Sequence, residues 1–441
     1  MDTRDLEPSQ LTRDSARGTP GLAIVDSPDV ALAGTFQSLA RPLTLGRADS
    51  QPMKSEGALA IRDPRVSRAH ATFRARADGR GCEVRDLGSH NGTFLEGRRV
   101  VTESAPFGSI LRIGDTLIEV SLPPLEVAPH ASLVGRSEPL MRLIDQIRRI
   151  ASSDVSVLIE GETGTGKELV AEALHAIGGR PGRLVAINCA AVPPELAESY
   201  LFGHRKGAFT GATHDVEGVF ERARDGTLLL DEIGVLRIDL QAKLLRVLES
   251  RQFTPLGPGP MKTTRARFLA ATNSRLRSQV AAGTFREDLF ARIAGIEIAV
   301  PPLRARRSDV PALLAHFLAQ SAPGVAFRFS PNAMEALLLH DWPMNVRELR
   351  TFAGRLALAH CDGGVFRTAD IATLLNTSID SGERSPIAPP PASTAPERAE
   401  LVQLLTEHKG NVGRVAGHYG KDRRQVYRWL AAHRLDPADF R

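Results

Sequence analysis

The sequence of 441 residues has few cysteines, no long apolar run and no N-terminal signal. The three cysteines, Cys82, Cys189 and Cys361, are scattered and odd in number, which fits neither a disulfide framework nor a metal site. No apolar run approaches the roughly 20 residues of a transmembrane helix, and the polar residues 1–20 lack the apolar centre of a signal peptide. We therefore expect a cytoplasmic protein.

What is present is the composition of a globular protein, with 42% hydrophobic and 24% charged residues. The length predicts about two to four domains. A net charge of +5 and a pI of about 9.3 permit nucleic-acid binding without demonstrating it.

The first part of the chain is predicted to be a tail followed by a β domain. Residues 1–20 are polar and predict a disordered tail. Short apolar runs separated by turn residues follow over 21–122, such as LAIV at Leu22, LTLGR at Leu43 and CEVRDL at Cys82. They predict an all-β sandwich. Residues 123–131 contain several prolines and predict a linker.

Three polar clusters fall between these predicted strands: Gly46–Arg47, Arg65–His70 and Leu87–Thr93. Together they offer guanidinium groups, a hydroxyl and an amide, which suit a phosphate-bearing peptide. In order and spacing, GR, SRAH and GSHNGT resemble the forkhead-associated (FHA) domain, which binds phosphothreonine. The pair Asn91-Gly92 alone has a plainer interpretation as a hairpin turn.

The resemblance to the FHA domain implies roles for particular residues. Arg47 and Ser67 would hold the phosphate, and His70 would brace the loop from within. The residues that would contact the phosphopeptide are Arg68, His90 and Asn91.

Apolar strands alternate with helices over residues 132–376, which predicts a parallel sheet covered on both faces. The segment Gly161–Lys167 follows one such strand and opens a helix, as a phosphate-binding loop does. Its glycines let N–H groups close around phosphates, and Lys167 opposes the phosphate charge. Glu168 stands where a Ser or Thr usually contacts magnesium.

Two further strand ends carry polar residues. The apolar run TLLLDE ends at Asp231-Glu232, where Asp231 would hold the hydration shell of Mg²⁺ and Glu232 would orient or deprotonate a water. Asn273 ends the next apolar strand and could sense the γ-phosphate. An exposed acidic pair at a strand end is the plainer interpretation of Asp231-Glu232.

The segments LVGRS at Leu133, GETGTGKE at Gly161, GTLLLDEIG, FREDLFARI and WPMNVREL together resemble AAA+ ATPases with a helical lid. They resemble one branch in particular, the sigma-54-dependent transcription activators, in which Glu at position 168 is usual. The resemblance implies that Val134-Gly135 lie by the adenine. The implied nucleotide-binding residues are Val134, Gly135, Gly161, Glu162, Thr163, Gly164, Thr165, Gly166, Lys167 and Glu168.

The same resemblance implies that Asn188 restrains Glu232 until the γ-phosphate state changes. Arg286 and Arg292 would be arginine fingers that reach the nucleotide of a neighbouring subunit, and Arg347 would be the second sensor. A surface salt bridge is the plainer interpretation of each arginine alone. Met344 replaces a glycine of the family pattern, which costs about a kcal/mol or more if the position needs φ > 0.

The run ESYLFGHRKGAFTGA at Glu198 follows neither a helical nor a strand period. Its glycine-flanked Phe209-Thr210 pair suggests a surface that touches a partner, and the plainer interpretation is that Phe209 folds back onto the protein. The resemblance implies that this loop contacts sigma-54, although Arg205 stands where the family often has an acidic residue. The implied contact residues are Gly207, Ala208, Phe209, Thr210, Gly211 and Ala212.

The last part of the chain is predicted to be a linker over 377–396 and a small helical domain over 397–441. A short helix, a turn at Gly420 and a final helix that begins at Asp422 predict a helix-turn-helix. Val426 and Leu430 would pack inward, and the segment resembles the Fis-type DNA-binding domain. The residues suited to phosphates and base edges are Arg423, Arg424, Gln425 and Arg428.

The sequence therefore predicts a multidomain activator of sigma-54 RNA polymerase. A homo-oligomeric ring, a hexamer, would use ATP and Mg²⁺, while the N-terminal domain senses a phosphothreonine protein and the C-terminal domain binds upstream enhancer DNA. Two alternatives remain: a phosphothreonine-dependent DNA-binding scaffold with a weak or structural ATPase, and an AAA+ remodeller of another client. ATP turnover that rises with assembly would favour a machine over a scaffold.

Overall fold

The structure, a computed structural model, describes residues 18–48, 57–273, 276–379 and 398–408. It also describes individual C-terminal residues, namely Val415, Val426, Trp429, Leu430, His433, Leu435 and Phe440. The chain divides into two compact units, Met1–Ile379 and Asp380–Arg441. Several predicted segments lie outside the described residues. They are most of the N-terminal tail, most of the linker over 377–396, and the predicted DNA-contacting residues Arg423, Arg424, Gln425 and Arg428.

The N-terminal domain is a two-sheet β-sandwich, as the alternating apolar runs predicted. One sheet has the strand order β2-β1-β11-β10-β7-β8 and the other β4-β3-β5-β6-β9. In β5 the side chains of Ala71 and Phe73 are buried whereas Arg74 is exposed, because successive residues of a strand face opposite sides. The strands are β1 (Gly21–Asp26), β2 (Phe36–Ser38), β3 (Leu43–Arg47), β4 (Ala58–Ile61), β5 (Ala71–Ala75), β6 (Gly81–Asp86), β7 (Thr93–Leu95), β8 (Arg98–Val100), β9 (Thr102–Pro106), β10 (Ile110–Ile113) and β11 (Thr116–Ser121).

Asn91-Gly92 does not form a hairpin turn, so that interpretation is wrong. The pair lies between β6 and β7, which belong to different sheets. The hairpin turn lies at Glu96-Gly97, between β7 and β8. Both residues there have positive φ, 50° and 73°, as the tight two-residue turns of β-hairpins require.

The central domain is an α/β fold with a five-stranded parallel sheet of order β13-β16-β19-β12-β20. The strands, with two short hairpins, are β12 (Val157–Glu160), β13 (Leu184–Asn188), β14 (Gly203–His204), β15 (Val216–Glu217), β16 (Thr227–Asp231), β17 (Gln252–Phe253), β18 (Lys262–Thr263), β19 (Arg267–Thr272) and β20 (Ile296–Ala299). The helices are α1 (Glu138–Ile150), α2 (Lys167–Gly178), α3 (Ala197–Phe202), α4 (Val219–Ala223), α5 (Ile238–Ser250), α6 (Leu276–Ala281) and α7 (Glu287–Ile293). Separate apolar clusters cover the two faces of the sheet, so the predicted buried parallel sheet is confirmed.

A helical lid follows the sheet and closes around a core that contains the buried Trp342. Its elements are α8 (Val310–Ser321), β21 (Phe327–Phe329), α9 (Pro331–Leu339), α10 (Asn345–Ala359), β22 (Gly364–Phe366) and α11 (Thr368–Ile379). Ile110 and Leu117 of the β-sandwich belong to the same apolar cluster, so the sandwich packs directly on the lid. The last lid helix continues three residues past the predicted domain end at residue 376.

The C-terminal unit contains α12 (Arg398–Glu407), in agreement with the helical domain predicted over 397–441. Val426 and Leu430 are buried, as predicted. The cluster that they join consists of Leu401, Leu404, Leu405, Val415, Val426, Trp429 and Leu430. Across the described part of the chain, no helix has both the length and the apolar character needed to cross a bilayer.

Candidate functional site

The predicted phosphate loop lies between β12 and α2. Gly164 and Gly166 have φ of 79° and 102°, in the region that favours glycine. A side chain at Gly164 would overlap the backbone carbonyl of Met344 in the lid. Lys167 is buried, and its Nζ donates to the carbonyl oxygen of Gly161 at 2.9 Å. The loop therefore presents a buried ammonium at the N-terminus of α2, where the helix dipole also favours an anion.

Three neighbouring strand ends meet around this ammonium. Glu232 follows β16, and its Oε1 lies 3.9 Å from Nζ of Lys167. The backbone N–H of Asn273, at the end of β19, donates to Oε2 of Glu232 at 3.3 Å, and its side-chain amide donates to Oγ1 of Thr163 at 3.3 Å. Burial lowers the pKa of Lys167, while Glu232 and Asp231 oppose that shift. The predicted meeting of these side chains is therefore present in the structure.

Glu232 has a backbone conformation that few non-glycine residues adopt, with φ of 51° and ψ of 45°. Such strain is costly and persists mainly where the surrounding structure imposes it, often at functional sites. The conformation aims the Glu232 carboxylate toward Lys167 and Asn273. No sequence pattern at Glu232 indicates this conformation.

The neighbouring Asn188 differs in detail from the expected arrangement. Its side-chain amide donates to Oδ2 of Asp231 at 3.3 Å, and its Oδ1 accepts from the N–H of Ala190. The amide thus contacts Asp231 rather than Glu232. The restraint on Glu232 that the family resemblance implied is not made in this arrangement.

The carboxylates of Asp231 and Glu232 supply the hard oxygen ligands that Mg²⁺ prefers. Glu168 lies exposed in the first turn of α2 and adds a carboxylate near the loop. This donor set fits a hydrated Mg²⁺, which Asp231 would hold mainly through water.

The lid contacts the phosphate loop through Glu162. The sequence had placed Glu162 only among the nucleotide-binding residues. Nη1 of Arg304 donates to Oε2 of Glu162 at 2.7 Å, and Nδ2 of Asn345 donates to the same oxygen at 3.2 Å. These hydrogen bonds, that of Arg304 foremost, lower the pKa of Glu162 to about 2. The backbone N–H of Arg347 also donates to the carbonyl oxygen of Gly164 at 3.3 Å. The predicted second sensor therefore lies beside the loop.

Met344 does not carry the backbone penalty that a glycine replacement could impose. Its φ is −100°, which any residue adopts. The positive φ values lie instead at Trp342, with 48°, and Asn345, with 53°. Met344 thus leaves the geometry around Arg347 intact.

Asp309 holds the predicted adenine segment through hydrogen bonds. The sequence did not indicate this residue. The buried Asp309 carboxylate accepts from the N–H groups of Arg136 and Ser137 and from Oγ of Ser137, at 2.7, 2.8 and 2.6 Å. Gly135 has φ of 134°, and a side chain there would overlap this carboxylate. Burial raises the pKa of Asp309, and the hydrogen bonds from Ser137 act against that shift. Val134, beside it, is half-buried.

The two predicted arginine fingers do not join this cluster within one chain. Arg286 caps α7 and pairs with Asp288 at 2.7 Å. Nη2 of Arg292 donates to the carbonyl oxygen of Leu248 at 3.1 Å. Arg286 lies at the N-cap of α7 and Arg292 on the helix itself, and both contact residues of α5 or α7 instead of Lys167 or Glu232.

The GAFTGA loop, residues 207–212, forms compact turns between β14 and β15. Gly207 and Gly211 have φ of 81° and 97°, and the N–H of Gly207 donates to the carbonyl oxygen of Ala212 at 2.8 Å. Thr210 is exposed at the tip. The Phe209 ring stacks edge-on against His204 at 4.9 Å while 39% of the residue remains exposed. Phe209 therefore folds partly back and still offers an apolar surface.

The base of this loop is closed by an ion pair. Arg205 lies 2.5 Å from Asp215, whose other oxygen accepts from the N–H of Lys206 at 2.8 Å. The charge of Arg205 is therefore balanced by a carboxylate of the same loop.

A second loop, between β17 and β18, supports the first. The N–H of Arg205 donates to the carbonyl oxygen of Leu256, and a side chain at Gly257 would press on Ala208. Sequence reasoning missed this support, although the turn residues of LGPGP were a signal for it.

The three polar clusters of the β-sandwich, which the sequence placed between strands, gather at one end of the domain. The N–H of Arg47 donates to the carbonyl oxygen of Ser67, and Oγ of Ser67 accepts from the N–H of His90 at 3.1 Å. The buried His70 accepts at Nδ1 from the N–H of Ser67 and lies 3.2 Å at Nε2 from the carbonyl oxygen of Gly92. Burial lowers its pKa, so it serves as a neutral brace between the loops.

Asn91 joins two of these loops rather than standing free. Its amide nitrogen donates to the carbonyl oxygen of Arg65 at 2.7 Å. Arg68 and His90 are exposed at the same end. The arrangement leaves cationic and hydrogen-bonding groups facing solvent around Ser67.

Comparison with known protein families matches three segments of the chain. The Sigma-54 interaction domain matches residues 133–299, the AAA+ ATPase lid domain residues 304–386 and the FHA domain residues 43–117. The transcriptional regulatory protein GlrR of Escherichia coli (strain K12) is 40% identical over 335 residues, which cover 74% of this chain and 73% of that protein. The regulatory protein AtoC of the same strain is 39% identical over 317 residues, with coverage of 70% and 68%.

Solved structures give a similar result for the fold. The structure of NtrX from Brucella abortus in complex with ATP is 33% identical, with a TM-score of 0.51, and covers 69% of this chain and 70% of its own. The same protein in complex with ADP is 31% identical, with a TM-score of 0.50 and coverage of 68% of each chain. The chain therefore belongs to the sigma-54-dependent transcription activators, and it carries an FHA domain before its AAA+ ATPase domain.

Proposed function

We propose that this activator hydrolyses ATP in a homo-oligomeric ring, a hexamer, and uses the GAFTGA loop to remodel the closed promoter complex of sigma-54 RNA polymerase. The observation that carries the proposal is the meeting of Lys167, Glu232 and Asn273 at neighbouring strand ends. The GAFTGA loop leaves the same sheet between β13 and β16. Nucleotide state can thus reach the loop within one domain. We propose a cytoplasmic location for this activity.

Each residue of the nucleotide site has a distinct proposed task. Lys167 and the N–H groups of the loop bind the phosphates, and Glu232 orients or deprotonates the attacking water. Asn273, within hydrogen-bonding reach of both Glu232 and Thr163, is suited to sense the γ-phosphate. Asp231 would hold a Mg²⁺ ion through water, and the ion would supply positive charge against the phosphates.

Arg286 and Arg292 are proposed to act on the nucleotide of the neighbouring subunit. They lie apart from Lys167 in their own chain, and the Arg286 side chain is 39% exposed and therefore accessible to a second copy. A trans arginine stabilises transition-state charge and makes hydrolysis depend on assembly. Arg347, on the lid, completes the site in cis.

We propose that the FHA domain receives the regulatory signal and that the C-terminal domain selects the DNA site. The FHA domain would bind a phosphothreonine protein through its polar end, supported by the His70 brace between its loops. Its contact residues are Arg47, Ser67, Arg68, His90 and Asn91. The C-terminal domain would bind upstream enhancer DNA through the residues Arg423, Arg424, Gln425 and Arg428.

A sigma-54 capture experiment tests the central proposal. The full chain is incubated with sigma-54 and ADP, either alone or with a metal fluoride that mimics the transferring phosphoryl group. We expect capture only with the analogue, and loss of capture in Thr210→Ala, which keeps normal ATP turnover. Turnover without capture under any condition would indicate another client. Absence of turnover at every protein concentration would indicate a scaffold.

A further inference from the structure

The FHA domain and the lid share a partly charged interface whose two ion pairs link different elements. Nε of Arg112, on β10, lies 2.8 Å from Oε2 of Glu335, on α9, and these side chains are only 16% and 9% exposed. The Arg112 guanidinium also stacks on Phe94 at 3.9 Å. Removing one partner would leave the other charge largely buried, which is strongly unfavourable.

The second ion pair joins Glu96 to Arg307 at 3.0 Å. Glu96 is held in place by the tight turn at Glu96-Gly97, and its Oε1 accepts from the N–H of Ile110 at 2.7 Å. The carboxylate is therefore presented to Arg307 by a rigid part of the sandwich rather than by a free side chain.

Arg307 belongs to a run of four residues, Arg306 to Asp309, that contact four different places. Arg306 is buried and donates to the carbonyl oxygen of Thr165 in the phosphate loop at 3.0 Å. Arg307 contacts Glu96, and Ser308 hydrogen-bonds the buried Glu119 carboxyl of the FHA domain.

The fourth residue, Asp309, holds Ser137 in the adenine segment at 2.6 Å. The two inner residues of the run thus face the FHA domain, whereas the two outer residues face the nucleotide site. A shift of the inner pair moves the outer pair, since all four occupy one short turn of the chain.

The contacts between the FHA domain and the lid do not fill the whole interface. A cavity of about 760 Å³ remains beside these contacts, between the FHA domain, residues 122–138 and the start of α8. Beside this cavity, the polar contacts described above and the buried Ile110 and Leu117 join the FHA domain to the lid.

From this geometry we infer that the FHA domain docks on the lid of its own chain and, through Arg306–Asp309, stabilises the nucleotide-binding arrangement of the AAA+ domain. Docking preorganises the phosphate loop and the adenine segment, so the docked chain binds nucleotide more tightly than the undocked chain. By linkage, bound nucleotide strengthens docking by the same factor. The inference depends on neither sigma-54 nor phosphothreonine.

Charge reversal in the full chain tests this. Glu335→Arg places two cations together at the interface, and the double variant Arg112→Glu/Glu335→Arg restores opposite charges. ADP affinity is measured by titration, and docking is measured by amide hydrogen exchange of β10 and α9. Arg76→Glu is the matched control, because its exposed ion pair with Asp78 lies on the β5–β6 turn of the same domain.

We expect Glu335→Arg to speed exchange in β10 and to raise the Kd for ADP at least threefold. The double variant should recover most of both effects, and Arg76→Glu should change neither. Saturating ADP should slow exchange of β10 in the wild type. Because a single reversal could also perturb folding of α9, the pair Glu96→Arg and Glu96→Arg/Arg307→Glu provides a second test that leaves α9 untouched.

Two results would overturn the inference. Faster exchange at the interface with unchanged or tighter ADP binding would show that docking does not support the nucleotide site. Unchanged exchange in Glu335→Arg and Glu96→Arg would show that the interface is not a docking contact at all.

Discussion

Nη1 of Arg304 donates to Oε2 of Glu162 at 2.7 Å, and this contact joins the lid to the phosphate loop across 142 residues of sequence. Both side chains are 43% exposed, so the ion pair contributes little to the free energy of unfolding. We therefore propose that this contact positions the lid, and with it Arg347, over the loop.

Replacing Arg304 with Ala should lower ATP turnover by roughly tenfold or more, because catalysis depends steeply on the placement of the reacting groups. The free energy of unfolding should change by less than about 1 kcal/mol. Steady-state turnover and urea unfolding measure the two effects. The control is Arg149→Ala, which removes an exposed ion pair with Asp145 on α1. Equal turnover in the two variants would contradict a positioning role.

Lys167→Ala should abolish nucleotide binding, since it removes the buried ammonium from the phosphate loop. Glu232→Ala should bind ATP and fail to hydrolyse it, because the group that orients the water is lost. Binding titrations and single-turnover hydrolysis separate the two defects. Full ATPase activity in either variant would refute the site assignment.

Gly135→Ala should weaken nucleotide binding and destabilise the fold. The new methyl group would overlap the Asp309 carboxylate, and such overpacking costs about 1–3 kcal/mol. Gly364→Ala is a matched control, because Gly364 has a similar φ of 138° and open space around it. Urea unfolding of both variants separates the steric overlap from the backbone strain. A similar loss of stability in the two would assign the whole effect to strain.

Glu119→Gln should change how stability depends on pH. The pKa of Glu119 is raised to about 7, chiefly by burial and also by the nearby Asp309, while Ser308 and Arg307 act against the shift. Between pH 4.5 and 7 the unfolded carboxyl is ionised and the folded one is protonated, so the unfolded state binds fewer protons. Stability therefore falls as pH rises through this window, by on the order of 3 kcal/mol in total.

The glutamine variant lacks this titration and keeps a hydrogen-bonding group beside Ser308. Relative to the wild type, it should gain stability between pH 5 and pH 8. Urea unfolding of both proteins at the two pH values gives the difference directly, so other titrating groups cancel. A difference that does not vary with pH would show that Glu119 has an ordinary pKa.

Arg47→Ala should reduce the affinity of the FHA domain for a phosphothreonine peptide by about tenfold or more, since charge-assisted hydrogen bonds to phosphate are among the strong ones. Arg74→Ala, on an exposed face of β5, is the control. Fluorescence anisotropy with phosphorylated and unphosphorylated peptides measures the effect. Peptide binding that is equal with and without the phosphate would remove phosphothreonine sensing from the proposal.

The sequence predicted the sandwich, the parallel sheet and the meeting of Lys167 with Glu232 because each depends on a local pattern. A run such as TLLLDE specifies both a buried strand and the acidic residues at its end. Neighbouring parallel strands then bring their ends together without further information. The four-residue strand β20 was missed because only Ile298 in it is buried, so no apolar run marked it.

The contacts of Glu162 and Asp309 could not be predicted in this way. Each joins segments more than a hundred residues apart, and each depends on how the lid sits on the sheet. The strained backbone of Glu232 is likewise imposed by its surroundings, since intrinsic preference opposes it. The family resemblance identified the functional residues by their motifs. The residues that contact them could be identified only from the fold.

The run Arg306–Asp309 also bears on protein engineering. A chimaera that exchanges residues 21–122 for another sensory module would keep Arg307 and Ser308 and lose the carboxyl groups of Glu96 and Glu119 that they contact. The fusion would then carry an uncompensated cation at Arg307, next in sequence to Arg306, which contacts the phosphate loop. Transplanted sensors for this ATPase therefore need an acidic residue opposite Arg307 and a hydrogen-bonding side chain opposite Ser308, in addition to a compatible linker.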